Sequence, residues 1–424
     1  MNAKASPLNL EHALEHALEH AFEHAETAAS VSTLISAQFN LAELQAEWCE
    51  LQTRADHSFF LSWTWIGTWL NSLPLADRPL LMRSRSGERT VGLALLGSRQ
   101  ERRHSIISSR GLHLNTTGDE HLDDITIEYN ALLIDKQVHD AVQRAMLRHL
   151  VAEVPAWDEC HLPGMTHVAA ELTAVPGTRL RQRTSTTFQV DLDRLGSEPR
   201  SASKALEKAP SNDAGKSAGK GAGKDIEDYL ELLGQKPRYH VRRSLRQYAL
   251  LGPLKLEAAE TLQQAHGFMA ELQSLHSAYW ASKGRPGAFL NSYVVSFHQQ
   301  LIDAAFQRGE VQLLRLSAGD KVISCMYNFV YAGKIYHYQS GINYTLFDGQ
   351  DSPGLVSHAM AVSFNAAAGH RIYDFMAGDQ QYKRSLCTDT GELHWLVLQR
   401  DRLKFNIEDF LRRAKRRFVP RGLA

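Results

Sequence analysis

The segment 373–384, YDFMAGDQQYKR, crowds proton-transferring and charged side chains at the end of an apolar run. If that run is a strand, alternation puts Asp374 on one face with Ile372 and Met376. Its carboxylate is then at least partly buried and needs a partner. Asp379, Tyr382 and Lys383 follow the turn at Gly378. Such a set can orient an amine, supply a proton or clamp an anion. It can equally be structural, with Asp374 capping a turn and Lys383 paired to it. Just upstream, GINYTLFDGQDSPGL contains Ser352-Pro353-Gly354, a favoured N-cap followed by proline at the first helical position. A helix that starts after a strand and a glycine-containing loop offers unpaired N–H groups and a positive dipole end, which suits a phosphate. The GxxxxGK[ST] phosphate loop is absent, so nucleotide hydrolysis of that type has no support.

These residues need a sheet and a helix to hold them. VQLLRLS, VISCMYNFV and IYHYQSG, joined by AGDK and YAGK, read as an antiparallel meander. The helix that follows runs through LVSHAMAVSFNAAAG over 354–368 and ends near Gly369, ahead of the strand RIYDFM (371–376). The N-terminal half repeats the plan. Residues 80–96 form a hairpin about Gly87, matching the one about Gly319, and a helix around 137–153 leads to the strand DECHL (158–162). Two copies of one α+β unit explain this economically.

Between the copies, 23 of the 29 residues from Gly196 to Lys224 are Gly, Ser, Ala, Lys or Pro, which predicts a flexible linker. The expected organisation is a His/Glu/Ala tail (1–30), an N-terminal unit (31–195), the linker (196–224), a C-terminal unit (225–400) and a basic C-terminal helix (401–424). The tail repeat EHALEHALEHAFEHAE sets His12, His16, His20 and His24 one helical turn apart, either a metal-binding stripe or, more simply, a solvated tail.

The chain has 424 residues, with 47 Lys+Arg against 47 Asp+Glu. Zero net charge argues against a protein that coats nucleic acid over its whole surface. The four cysteines form no CxxC pair, so neither a zinc cluster nor a disulfide framework is indicated, and a cytoplasmic setting is expected. No export signal or membrane-spanning run is recognisable. Trp63, Trp65 and Trp69 read as core, and Arg242, Arg243 and Arg246 as a basic helix face. His337 and Tyr338 sit on a strand near the phosphate-type loop, facing either a cleft or the core. His358, one turn into the helix, either approaches a phosphate or faces solvent.

The ordered set Ser352-Pro353-Gly354-Leu355, Gly369, Asp374-Phe375, Gly378-Asp379 and Tyr382-Lys383 resembles the GNAT-superfamily acyltransferases of the FemABX-like and CelD-type polysaccharide-biosynthesis branch. FFLSWTWIGTWL (59–70), PRYHVRRSLRQY (237–248) and YWASKGRPGAFL (279–290) add to the resemblance, which spans roughly residues 55–400 with the linker as an insertion. It implies an α+β fold of two tandem GNAT-like domains, each a mixed, largely antiparallel sheet flanked by helices. It further implies an acyl-CoA whose pyrophosphate lies on Asp351, Ser352, Pro353, Gly354 and Leu355, and no metal. An acceptor amine would attack the thioester directly. Asp374, Asp379, Tyr344 and Tyr382 are then candidate acid–base groups, and Lys383 a clamp for an acceptor carboxylate or phosphate.

The expected acceptor is a small-molecule amine, on a sugar nucleotide, cell-envelope or exopolysaccharide precursor. The phosphate signature [QR]xxGx[GA] is interrupted, since Gln350 is followed by Asp351, Ser352, Pro353 and then Gly354. An aminoacyl-tRNA donor, as FemABX relatives use, is therefore the first alternative. A second is a non-catalytic adaptor that docks to a membrane or a partner. Its docking element would be the amphipathic IEDFLRRAKRRF (407–418), which could also place an enzyme at the inner face of a membrane.

Overall fold

The computed structural model describes residues 31–103, 107–152, 154, 157–173, 175–195, 222–347 and 352–408. The 1–30 tail, nearly all of the 196–224 linker, Asp351 and the basic stretch beyond residue 408 lie outside the described residues. The described residues form two compact units, 31–183 with 394–408, and 184–393.

The first unit contains β1 (Val31–Ser36), α1 (Leu41–Gln52), α2 (Trp63–Ser72), β2 (Leu80–Ser86), β3 (Arg89–Arg103), β4 (Ile107–Leu114), the two-residue β5 (Leu133–Ile134), α3 (His139–Ala152) and β6 (Glu159–Met165). Gly87 takes φ 58° at the β2–β3 turn, the left-handed conformation that a two-residue hairpin asks of glycine. Strands β1 to β4 are successively antiparallel, and β6 lies parallel to β4. A closing antiparallel partner for β6 comes from the far end of the chain, His394–Gln399. Leu112, Leu114, Cys160, Leu162, Leu396 and Leu398 pack with Val142, Met146 and Leu150 of α3 into one core. Trp65 and Trp69 are buried, as the sequence predicts.

The second unit repeats this plan. It holds residues 184–191 of β7 (Thr178–Asp191), α4 (Ala222–Leu232), α5 (Gln235–Ala249), β8 (Leu254–Ala258), α6 (Leu262–Ser282), α7 (Ser292–Ala305) and β9 (Val311–Ala318). Then come β10 (Lys321–Tyr331), β11 (Lys334–Ile342), α8 (Pro353–Ala367), β12 (Ile372–Ala377), α9 (Gln381–Leu386) and the start of β13 (Asp389–Arg400). Strands β8 to β11 are antiparallel in succession, β12 is parallel to β11, and Thr187–Asp191 of β7 closes antiparallel on β12. Each unit is thus a mixed, largely antiparallel sheet flanked by helices. The boundaries expected at 195 and 225 do not coincide with these units. Residues 184–191 belong to the second, and 394–400 to the first, because each parallel pair needs a hydrogen-bonding neighbour on its outer side.

Helix α6 lies directly on β11. A Cβ built on Gly341 would come within 2.2 Å of the Leu272 carbonyl oxygen. Gly341→Ala is expected to cost about 2–3 kcal/mol through forced separation of helix and strand, read as a lowered urea midpoint with unchanged slope.

Candidate active site

Strands β11 and β12 are paired only from Lys334–Tyr336 to Ile372–Asp374, and beyond these residues they have no register. At the same level β11 carries a bulge. His337 faces Asn328 and Gln339 faces Tyr327 on β10, which leaves Tyr338 as the extra residue. Where the two strands part, a cavity of about 900 Å³ opens within the second unit.

Ser352–Leu355 at the start of α8 form one wall. Pro353 at the first helical position has no N–H to leave unsatisfied. Ser352 occupies the N-cap, as its sequence context predicts, but its side chain makes no capping bond, and its N–H donates to Ser244 Oγ at 3.3 Å. The Leu355 N–H donates back to the Ser352 carbonyl at 3.0 Å. That leaves the Gly354 N–H unengaged by any described residue, on the cavity wall at the positive end of a 15-residue helix. A Cβ at Gly354 would meet only Ile342 Cδ1, at 3.4 Å, so the helix itself tolerates a side chain there.

The remaining walls are basic and aromatic. Lys236 and His240 come from α5, Tyr279 and Trp280 from the last turns of α6, and Tyr382 and Lys383 from α9. Among the described residues no carboxylate lines the cavity. Lys383 is nearly buried, and its ammonium donates to the Ala377 carbonyl at 2.7 Å. Tyr344 packs against Tyr279 at 4.8 Å between ring centres. Burial raises the phenols of Tyr382 and Tyr344 above their ordinary value, so both remain hydroxyl donors at neutral pH.

His337 stands at the end of a chain of amides. Asn365 Nδ2 donates to Ala361 O at 2.8 Å, Gln312 Nε2 to Asn365 Oδ1 at 2.9 Å, and Asn328 Nδ2 to Gln312 Oε1 at 2.9 Å. Asn328 Oδ1 therefore faces His337 Nδ1, 2.9 Å away. In this arrangement Nδ1 must be the donor, which makes Nε2 the lone-pair nitrogen. Burial, together with neighbouring His358 and the Lys383 charge, holds the His337 imidazole well below its usual range. It is a neutral acceptor at physiological pH. His358 is buried rather than solvent-facing. It stacks on Tyr382 at 4.9 Å and meets His337 edge to face at 4.6 Å.

Residues 235–384 match the family model described as an acetyltransferase (GNAT) domain. The protein is an acyltransferase, and the matched residues lie in the second unit. No curated protein sequence matches the chain. Among solved structures, FemX superposes with a TM-score of 0.50 at 10% identity, over 89% of this chain and 99% of FemX. The C-terminal domain of a putative lysylphosphatidylglycerol synthetase from Agrobacterium fabrum gives 0.46 at 13% identity, over 88% and 96% of the two chains. A tandem GNAT protein from the clavulanic acid biosynthesis pathway gives 0.43 at 10%, over 88% and 99%. The FemX likeness, which extends over nearly the whole of both chains, is one of fold.

Within the second unit, Ser352, Pro353, Gly354, Leu355, Tyr344, Tyr382 and Lys383 converge on one cavity, whereas Asp374 and Asp379 do not. Asp374 is fully buried on the opposite face of β12 from Phe375, which lines the cavity. Its Oδ2 lies 2.6 Å from Lys334 Nζ and its Oδ1 accepts the Met376 N–H at 2.6 Å. Its charged partner is thus Lys334, not Lys383, and it braces the strand. Asp379 is exposed and pairs with Arg384. Asp351 lies outside the described residues. Strand alternation places Asp374 correctly beside Ile372 and Met376 but cannot say which face meets the cavity. His240, Tyr279 and Trp280 lie in two segments that carry the family resemblance and Lys236 just before one of them, but nothing in their spacing assigns them to the site, because ordinary helices bring them to it.

Proposed function

We propose that the second unit transfers an acyl group from an acyl-CoA to the amine of an anionic small molecule, such as a sugar-nucleotide or cell-envelope precursor of the kind polysaccharide-biosynthesis enzymes modify. The observation that carries this reading is a cavity with a helix N-terminus and two lysines on its wall and, among the described residues, no carboxylate. Phosphates are the ligands such a wall favours.

An acyl-CoA bound there would supply a thioester carbonyl open to direct attack by an amine. The Gly354 N–H and the Lys236 and Lys383 ammonium groups meet negative charge. His337 Nε2 accepts a hydrogen bond from the attacking amine and aims its lone pair. Tyr382 and Tyr344 are hydroxyl donors for the departing sulfur.

Calorimetry with acetyl-CoA and longer acyl-CoAs tests the donor. Gly354→Leu is expected to weaken binding at least about tenfold by filling the wall, with the fold unchanged by circular dichroism. His337→Leu is expected to lower kcat about 100-fold while leaving the donor KM near that of the parent, measured by thiol release with amino-sugar acceptors. Binding of aminoacyl-tRNA that weakens with salt, without any acyl-CoA binding, would move the donor to the tRNA class. Binding of neither sinks the transferase reading of this cavity and leaves the adaptor role.

A further inference from the structure

Acyl transfer as described occupies one wall of the cavity, and a second wall has no role in it. The cations and the Gly354 N–H come from α5, α8 and α9. The wall built by α6 and β11 carries no lysine, arginine or carboxylate among the described residues. It presents Tyr279 and Trp280 from the end of the helix and Gln339 and Ser340 from the strand. Trp280 is held from two directions. Its indole N–H donates to Nε2 of His276, one turn back on the same helix face, at 2.9 Å. Gly287 lies across both rings: a Cβ there would come within 2.9 Å of His276 Cε1 and 3.1 Å of Trp280 Cδ1. Phe289 closes on the imidazole edge to face at 5.0 Å.

The same bond fixes the imidazole. Because Nε2 accepts, the ring proton sits on Nδ1. Nδ1 is buried and has no hydrogen-bond partner among the described residues. Burial holds the ring below its ordinary range, so it is neutral at physiological pH. His276 is itself 6% exposed, and an apolar residue at this position would fill the space without an orphaned N–H. Packing alone therefore does not explain a histidine here. What the histidine adds is an acceptor that sets the pose of one indole on the cavity wall.

An indole locked in one pose suits a flat face that stacks on it. The group that meets this wall is the one carrying the nucleophile, because His337, the acceptor for the attacking amine, lines the cavity from the same strand as Gln339 and Ser340. That amine does not belong to a nucleobase, whose exocyclic nitrogen gives its lone pair to the heteroaromatic ring and attacks thioesters poorly. A saturated ring is the fitting carrier. The axial C–H groups of a hexopyranose make a flat apolar face for an indole, and its hydroxyls bond to neutral groups such as the Gln339 amide and the Ser340 hydroxyl. On the acyl-transfer reading of the cavity, we infer that the acceptor is a phosphorylated aminohexose stacked on Trp280, with His276 as the positioning residue that sets the indole for it.

Calorimetry on the full chain compares glucosamine 6-phosphate with O-phosphoethanolamine, which carries the same amine and phosphate on an open chain. The parent is expected to bind the cyclic ligand at least about tenfold more tightly, and Trp280→Ala to bring the two within about twofold of each other. Trp280→Phe should keep most of the preference. His276→Leu should lose most of it, and His276→Gln, whose side-chain oxygen still accepts the indole N–H, should regain it. A general loosening of the fold would weaken both ligands alike and leave their ratio unchanged. If His276→Leu does not fold, the partly exposed Trp280 decides through Trp280→Ala. Equal affinities in the parent, binding of neither ligand, or a preference that survives Trp280→Ala overturns the inference. Acetyl-CoA is titrated separately. Its binding without a cyclic preference removes the sugar subsite and leaves acyl transfer standing, and a Trp280-dependent preference without any acyl-CoA binding does the reverse.

Discussion

Replacing Lys334 with methionine is expected to destabilise the protein by about 3–5 kcal/mol. The partner left behind is Asp374, which is fully buried and bonded to Lys334 Nζ at 2.6 Å. Lys334 is about one-fifth exposed, so its own desolvation is modest while that of Asp374 is complete. Deleting the cation therefore strands a buried carboxylate. Two controls sharpen the test. Lys334→Met combined with Asp374→Leu should recover much of the loss, because removing both charges also removes the uncompensated one. Asp374→Asn should lower the urea midpoint and leave kcat of the surviving folded protein near that of the parent, since Asp374 is not on the cavity wall. A loss under about 1 kcal/mol for Lys334→Met, or a collapse of kcat in folded Asp374→Asn, would show the pair to be something other than a brace.

The second large effect is acid lability that sets in before carboxylates titrate. His298 and His358 are buried, and burial pushes each imidazole down to about 3. Lys383 adds to the effect at His358, and His337 is displaced in the same direction. In the unfolded chain these groups return to about 6.5. Between 6.5 and 3 the unfolded state therefore binds protons that the folded state refuses, and stability falls as pH falls. Above about 6.5 both states are neutral and no penalty applies. Each such histidine contributes about 1.4 kcal/mol per pH unit inside this window. Urea midpoints measured from pH 7.5 to 5 should drop steeply below pH 6.5. His298→Gln should flatten that slope, because a glutamine can still meet the Tyr338 hydroxyl, 3.2 Å from His298 Nε2, without taking up a proton. A flat profile between pH 6.5 and 5 would contradict the neutral, buried state of these rings.

What the sequence reveals follows from how local the cause is. The hairpins at Gly87 and Gly319 are legible because a two-residue turn requires left-handed backbone, and both glycines adopt it. The helix after Ser352-Pro353 is legible from an equally local cause, a proline whose fixed φ suits the first helical position. With it come the cavity residues Ser352–Leu355, Tyr382 and Lys383, which sit at helix starts and turns. Contacts that depend on distant segments are not legible. Lys334 and Asp374 are forty positions apart in sequence (374 − 334) and meet only because β11 and β12 run parallel. The tautomer of His337 rests on Asn328, Gln312 and Asn365, three amides from three elements that no periodicity singles out. Nor does an amphipathic strand declare which sheet it will join, so the assignment of β7 and β13 could not be read from their residues.

The destination of β7 bears on how this protein can be divided or inherited. Phe188 and Val190, which precede the glycine- and lysine-rich segment 196–224, are buried in the hydrophobic interior of the second unit. A fragment begun at that segment would keep every residue of the cavity yet leave the outer edge of β12 bare, an invitation to edge-to-edge aggregation. The start of that segment is therefore not where the gene can be cut. Recombination that exchanged one half for a foreign relative would have to carry with it a strand that precedes this segment.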